Sequence, residues 1–371
     1  MNYTTHRSNK EATASQKMRA STHCLRGRSA GGAPLTSYKK IVDKQESSLS
    51  KFHKIRHYGL SRSDLVSANY KLGKQEEFLK KSYLYDQINQ KRIPLIDLAL
   101  SANHAPKRFY GEIQNRINTM QRIAQERDLK PIFMTLTLPS EYHPYTTLKN
   151  AKRIANPKYN GMEPKEAVKA LTKLFAKLRQ DRSLKELTKE QRLYFRVNEP
   201  HKSGVPHTHI LMFVPEDRIE RVKRAYRRLY DQRANDIQSV ESDIRNSVAY
   251  VMKYINKILP LSKKKKLSEK EEFLNAWYVK HRIVRFNASK SMAPLYLYRM
   301  LHKHYTLYAL TKLKHENEFR FFVSLDEKTI IKIIDSFGEV LYTKSDNYDL
   351  CLKGDHLCDS QTSESAIGML S

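Results

Sequence analysis

The sequence predicts an α+β fold, on three observations. Short runs of β-branched, aromatic and apolar residues, bounded by prolines and glycines, mark strands in the middle of the chain. Between them apolar residues recur three and four apart, the spacing of helices with one buried face. Hydrophobic residues make up 40% of the 371, below the globular average but enough for a core.

The elements follow in order. Residues 1–50 are polar and basic, broken by Gly31, Gly32 and Pro34, and are expected to be a disordered tail. Residues 51–130 read as a helical region. From Glu76 to about Arg127 the pattern is helical but interrupted at Pro94 and Pro106, with Ile113, Ile117, Met120 and Ile123 on one face. The texture changes at Pro131: residues 132–138 read as a strand ended by Pro139. A loop with Pro144, Pro157 and Gly161 leads to a helix over 164–179 that turns Val168, Leu171, Leu174, Phe175 and Leu178 inward. Residues 192–198 and 207–214 are two strands around a loop holding Pro200, Gly204 and Pro206. Helices are expected over 216–230 and 244–259, a charged linker at 263–266, and another strand over 279–286. Residues 131–292 thus form one α+β domain. A small α/β extension follows over 293–344: a helix, a strand at 319–323 and a mixed strand and helix unit at 329–342. Residues 345–371 read as a disordered tail.

Lys and Arg number 68 against 39 Asp and Glu, a formal charge of +29. Such a surface gains free energy by releasing counterions from phosphate, so nucleic acid, rather than an anionic membrane, is the expected partner. No run of about 18 apolar residues occurs, which excludes a spanning helix, and residues 1–21 lack the apolar stretch of a secretory signal. The three cysteines, Cys24, Cys351 and Cys358, are expected to be reduced thiols of a cytoplasmic protein. The chain has no G-x-x-x-x-G-K-[ST] phosphate loop, so no helicase motor is expected in it.

Two constellations carry chemistry. In Pro206-His207-Thr208-His209 the histidines lie two apart on a strand and so project to one face. Glu199 ends the preceding strand, and an antiparallel pairing brings it near them, although the register that decides its face is not fixed by the sequence. Two imidazoles and a hard carboxylate suit Mg²⁺ or Mn²⁺ acting on phosphate better than a closed zinc site. His201 is the rival third ligand. On the helix over 244–259, Ile244, Val248, Val251, Ile255 and Ile258 form the inward stripe. Tyr250, Tyr254 and Lys257 form a second stripe about 110° round the helix, with Lys253 at its margin. Neighbouring lysines would favour the phenolate form of either tyrosine. A phenol beside a metal can attack phosphorus and form a phosphotyrosyl link, keeping the bond energy for rejoining.

Three segments in order resemble the successive motifs of HUH endonucleases: Phe133-Met134-Thr135-Leu136-Thr137, Pro206-His207-Thr208-His209, and Tyr250-x-x-Lys253-Tyr254-x-x-Lys257. The two-tyrosine form is similar to the replication gene A proteins of single-stranded DNA phages. The likeness covers about residues 130–292. It implies an antiparallel sheet of about five strands flanked by helices, with the histidine strand central and the tyrosine helix beside it. It also implies metal ligands at His207 and His209, with Glu199 as the acidic ligand, nucleophiles at Tyr250 and Tyr254, and phosphate-side help from Lys253 and Lys257. The segment 281–291 shares the family's flavour, and Arg282, Arg285 and Lys290 are its expected DNA contacts. The activity implied is strand-specific nicking and rejoining of single-stranded or supercoiled origin DNA, starting rolling-circle replication of a phage or plasmid in a bacterial cytoplasm. A separate helicase and host replication machinery would be partners. A transposase or mobilisation relaxase would use the same residues on other DNA, and a non-catalytic DNA- or RNA-binding protein would use them only structurally.

Overall fold

The computed structural model describes residues 54–147, 153–231, 235–239, 244–259, 267–316, 318–323, 330–344 and 348–351. The expected tail over 1–50 and the linker over 263–266 lie outside them. A five-stranded sheet is built from β1 (Leu129–Thr137), β2 (Leu193–Pro200), β3 (Pro206–Pro215), β4 (Asp236–Ser239) and β5 (Phe286–Ala288). The order is β4-β1-β3-β2-β5, with every neighbouring pair antiparallel. The histidine strand, β3, is central, as the resemblance implies. Among the described residues, pairing of β1 with β4 starts at Ile132, just past Pro131, which has no N–H to give a ladder.

The helices are α1 (Arg62–Lys81), α2 (Pro106–Glu126), α3 (Pro164–Gln180), α4 (Ile219–Leu229), α5 (Ile244–Ile258), α6 (Glu269–His281), α7 (Leu295–Leu301) and α8 (Leu307–Glu316). Proline stands in the first turn of α2 and of α3, where its missing N–H costs nothing. Because strand side chains alternate, the sheet feeds two cores. Phe133, Phe195, Val197, Leu211 and Phe213 pack with residues of α2, α5 and α6, among them Ile117, Ile255 and Trp277. Ile132, Met134, Ile210 and Met212 pack on the other side with Phe175 of α3 and Tyr226 of α4. Each fully buried side chain of this size contributes roughly 1.5–3 kcal/mol. A third cluster joins α7 and α8 to a three-stranded sheet of β6 (Phe319–Val323), β7 (Ile330–Asp335) and β8 (Val340–Thr343). Arg299 of α7 grips the buried Glu112 of α2 through two parallel hydrogen bonds of 2.7 Å.

Several expectations are corrected. Within the expected helical region 51–130, helix begins before Glu76, at Arg62, where Ser61 and Asp64 form a capping box, and a hairpin, Tyr83–Asp86 with Lys91–Pro94, interrupts it. The expected strand over 279–286 is instead the last turn of α6, to His281, followed by a turn and irregular chain up to Phe286. A second capping box, Ser268 with Glu271, starts α6, whose buried Phe273, Leu274, Trp277 and Tyr278 repeat at helical spacing. Only Phe286–Ala288 is extended. Residues 330–343 hold two strands and no helix. Tyr348–Cys351, expected to be disordered, pairs with Tyr83–Asp86. Cys351 is disulfide-bonded, so the reading of reduced thiols does not hold for it. No helix among the described residues is long and apolar enough to cross a membrane.

Candidate active site

The hairpin of β2 and β3 resolves the question of register. Glu199 stands directly opposite His207, and Val197 opposite His209, so Glu199, His207 and His209 share one face. On the other side of β3, Thr137 and Thr135 of β1 stand opposite the same two histidines. The turn between the strands depends on Gly204, whose φ of +91° lies in the left-handed region. A Cβ there would sit 2.5 Å from the Tyr58 carbonyl oxygen. Trp277 donates to the Gly204 carbonyl and Tyr278 to the Asn198 carbonyl, so α6 braces both ends of the hairpin loop. Beneath the site, buried Thr208 donates to the Asn198 side chain at 2.8 Å, and Asn198 donates onward to the Val284 carbonyl.

The Glu199 Oε2 atom lies 3.3 Å from His209 Nε2 and 3.7 Å from His207 Nε2. One ligand atom from each residue falls within 4.8 Å of the other two. Glu199 Oε2, His207 Nδ1 and His209 Nε2 are buried without a hydrogen-bond partner. Buried polar atoms are rarely left so, and Glu199 Oε2 with the Nε2 atoms of His207 and His209 that face it forms an N- and O-type donor set that fits a divalent cation. Thr135 Oγ1 holds His209 Nδ1 at 3.0 Å, leaving Nε2 to face the carboxylate. Burial pushes the His209 imidazole below its ordinary value, which keeps it neutral and able to ligate. Burial alone would raise the Glu199 carboxyl, but His207, His209 and Lys257 together hold it well below the usual carboxylate range. Lys257 pairs with the other oxygen, Oε1.

Helix α5 brings the tyrosines onto this face. The Tyr254 ring centroid is 3.9 Å from that of His209, and the Tyr254 hydroxyl donates to Tyr250 at 3.2 Å. Phe133 stacks on Tyr254 at 5.7 Å and meets Tyr250 edge-on at 4.3 Å. Tyr250 is 38% exposed, so the pair opens to solvent at one end. For Tyr254 the expected phenolate does not follow. Burial, the Tyr250 hydroxyl and the negative charges of Glu199 and Asp236 raise the Tyr254 pKa, while Lys257 is turned to Glu199. Lys253 is exposed.

Comparison with known proteins decides the family. Residues 35–260 match the family described as bacteriophage replication gene A protein. The chain belongs to that family. The replication gene A protein of Escherichia phage 186 is 32% identical over 220 residues, 55% of this chain and 30% of that protein. The probable replication protein P12 of Pseudoalteromonas phage PM2 is 28% identical, covering 49% and 28%. A probable replication endonuclease from a prophage-like region of Escherichia coli O6:H1 is 28% identical, covering 51% and 25%. The chain therefore spans under a third of the length of these relatives. No solved structure matches it.

In this replication gene A family member, the other expected residues are scattered. His201 is outside the three-ligand cluster, its ring 6.3 Å from that of His207, with His143 a further 5.5 Å along. Arg285, an expected DNA contact, is 7% exposed. It donates to Asn275 and Asn103 and lies over the Tyr278 ring at 4.1 Å, which makes it a core residue. Arg282 is exposed and closes α6 in a left-handed conformation. Lys290 is exposed beyond β5, beside residues of the sheet face opposite the triad. Sequence reasoning missed the aromatic wedge Phe133 and the braces Trp277 and Tyr278. The alternation along β1 could have placed Phe133 on the face of Thr135.

Proposed function

We propose that this chain is a phage replication initiator that cuts and rejoins one strand of origin DNA by tyrosine transesterification, beginning and ending rolling-circle replication. The observation that carries the reading is the close, tilted packing of the Tyr254 ring on His209, which sets a phenol beside a cluster of three candidate metal ligands. Mg²⁺ or Mn²⁺ held by Glu199, His207 and His209 would supply Lewis acidity toward a phosphodiester. The chain's own groups do the rest. The Tyr254 or Tyr250 oxygen forms a bond to phosphorus and loses its proton. The bond from phosphorus to O3′ breaks, and the departing oxygen takes up a proton as a 3′-OH. The 5′ end stays on tyrosine as a diester, so a later 3′-OH can reverse the step. Phe133 and Thr135 hold the reacting rings in place. Lys257 neutralises half of the carboxylate and, once a cation shares Glu199, would turn to the DNA phosphate beside Lys253. Unwinding falls to a separate helicase and copying to host replication proteins.

The test uses random single-stranded oligonucleotides with Mn²⁺, labelled at either end. Transesterification by tyrosine predicts denaturant-resistant protein carrying the 3′ label and not the 5′ label. No covalent product from either pool, or one carrying the 5′ label, overturns the reading.

A further inference from the structure

On the sheet face turned away from the triad, a cavity of about 300 Å³ lies between the C-terminal end of α3, the start of β2 and the segment after β5. Tyr194 and Met212, both of the α3 and α4 core, line it from the sheet. Four cations surround it, Arg179, Lys189, Arg192 and Lys290, together with the buried hydroxyls of Ser289 and Ser291. No carboxylate lines it, and none of the four cations has an ion-pair partner among the described residues.

This charge is built in. Arg192 is fixed by donating to the Arg179 and Leu184 carbonyls. Arg179 and the 9% exposed Arg196 both lie over Phe175, each at 5.2 Å, and each keeps a buried Nε with no partner. Like charges packed this closely without counterions disfavour one another, and the potential reaches further. Lys314, held by the Lys290 and Met292 carbonyls, has its pKa lowered by burial and by Arg116, with Lys189 adding to this and Glu190 opposing it. Ser291 donates to the Ser289 hydroxyl at 3.1 Å, which leaves Ser289 to donate into the cavity. A concave site with four cations, one such hydroxyl donor and no carboxylate complements a phosphate oxyanion.

We propose that this cavity binds a backbone phosphate of a DNA strand, forming a second DNA contact separate from the triad and on the opposite face of the sheet. It gives the chain a hold on DNA that does not depend on the chemistry proposed for the tyrosines. A strand anchored there would remain attached while either end at the triad is exchanged.

Lysine acetylation footprinting of the full chain, read by mass spectrometry, tests this without cleavage. A single-stranded oligo-dT should protect Lys189 and Lys290, and should protect them equally in a His207→Ala, His209→Ala variant. The Lys189→Gln, Lys290→Gln variant should bind oligo-dT about 10-fold more weakly, with the slope of log affinity against log salt reduced by about 0.7 for each phosphate no longer neutralised. A control variant, Lys71→Gln, Lys91→Gln, which removes two exposed lysines from outside the cavity, should change affinity less than 2-fold. Equal weakening in both variants, or no protection of Lys189 and Lys290, overturns the proposal. Protection by thymidine monophosphate or inorganic phosphate to the same extent as by oligo-dT overturns the strand as the source.

Discussion

Glu199 and His207 are direct partners across the β2–β3 ladder, and that pairing places the carboxylate on the face of both histidines. A slip of one residue would turn Glu199 into the opposite core, because side chains alternate with a period of two. The triad is thus a property of the hairpin's register, which the Gly204 turn, the Asn198–Thr208 hydrogen bond and the α6 braces hold.

Gly204→Ala should therefore damage both stability and metal binding. The left-handed φ and the 2.5 Å approach to the Tyr58 oxygen should cost about 2 kcal/mol or more. Gly73→Ala in α1, where nothing lies within 4 Å of the added Cβ, should instead stabilise by up to about 1 kcal/mol. Urea unfolding and Mn²⁺ calorimetry on both variants check the pair. Unchanged Mn²⁺ affinity in Gly204→Ala would separate the turn from the site.

Metal affinity should respond differently to each residue around Glu199. His207→Ala with His209→Ala should abolish Mn²⁺ binding, and Glu199→Ala should weaken it by about 10-fold or more. Lys257→Met removes a cation paired with the same carboxylate, so Mn²⁺ should bind more tightly, by several-fold, while covalent adduct formation falls. Isothermal titration measures the first effect and gel assay the second. Weaker Mn²⁺ binding in Lys257→Met would mean that the lysine orients the carboxylate rather than competing for it.

Much of this was legible in the sequence, for identifiable reasons. β1, β2, β3, α3 and α5 each announce themselves through one clear period, and the histidine and tyrosine spacings follow from that period alone. The face of Glu199 was not legible, because parity depends on how the loop from His201 to Val205 is folded. Helix α6 was misread because Val279, Ile283 and Val284 look strand-like locally, while its start lies in a capping box and its core residues pack on distant strands. Arg285 reads as a surface cation. Only the tertiary contacts with Asn103, Asn275 and Tyr278 show that it is buried. The orientation of Lys257 toward Glu199, which leaves Tyr254 among aromatic rings, likewise comes from two elements meeting.

Acid should weaken the fold through His281. Burial and the adjacent Lys280 push its pKa down to about 4 from 6.5. The folded imidazole resists a proton that the unfolded one accepts, so stability from this group is complete above pH 6.5 and is lost as pH falls toward 4. The loss by pH 5 is on the order of 2 kcal/mol, the negative charge of Asp64 already opposing part of the burial penalty. Urea unfolding at pH 7.5 and pH 5 should show this difference in the wild type and a smaller one in His281→Gln. An equal pH dependence in both would remove His281 from the account.

The central claim is that the tyrosines beside the triad are the groups that take the strand. It is tested most directly by digesting the covalent complex formed with Mn²⁺ and locating the nucleotide by mass spectrometry. The account predicts a 5′-phosphotyrosyl linkage on Tyr250 or Tyr254, with Tyr250→Phe and Tyr254→Phe each retaining some adduct and the double variant retaining none. A wild-type yield of adduct from the double variant, or a linkage mapped to any other residue, would contradict it.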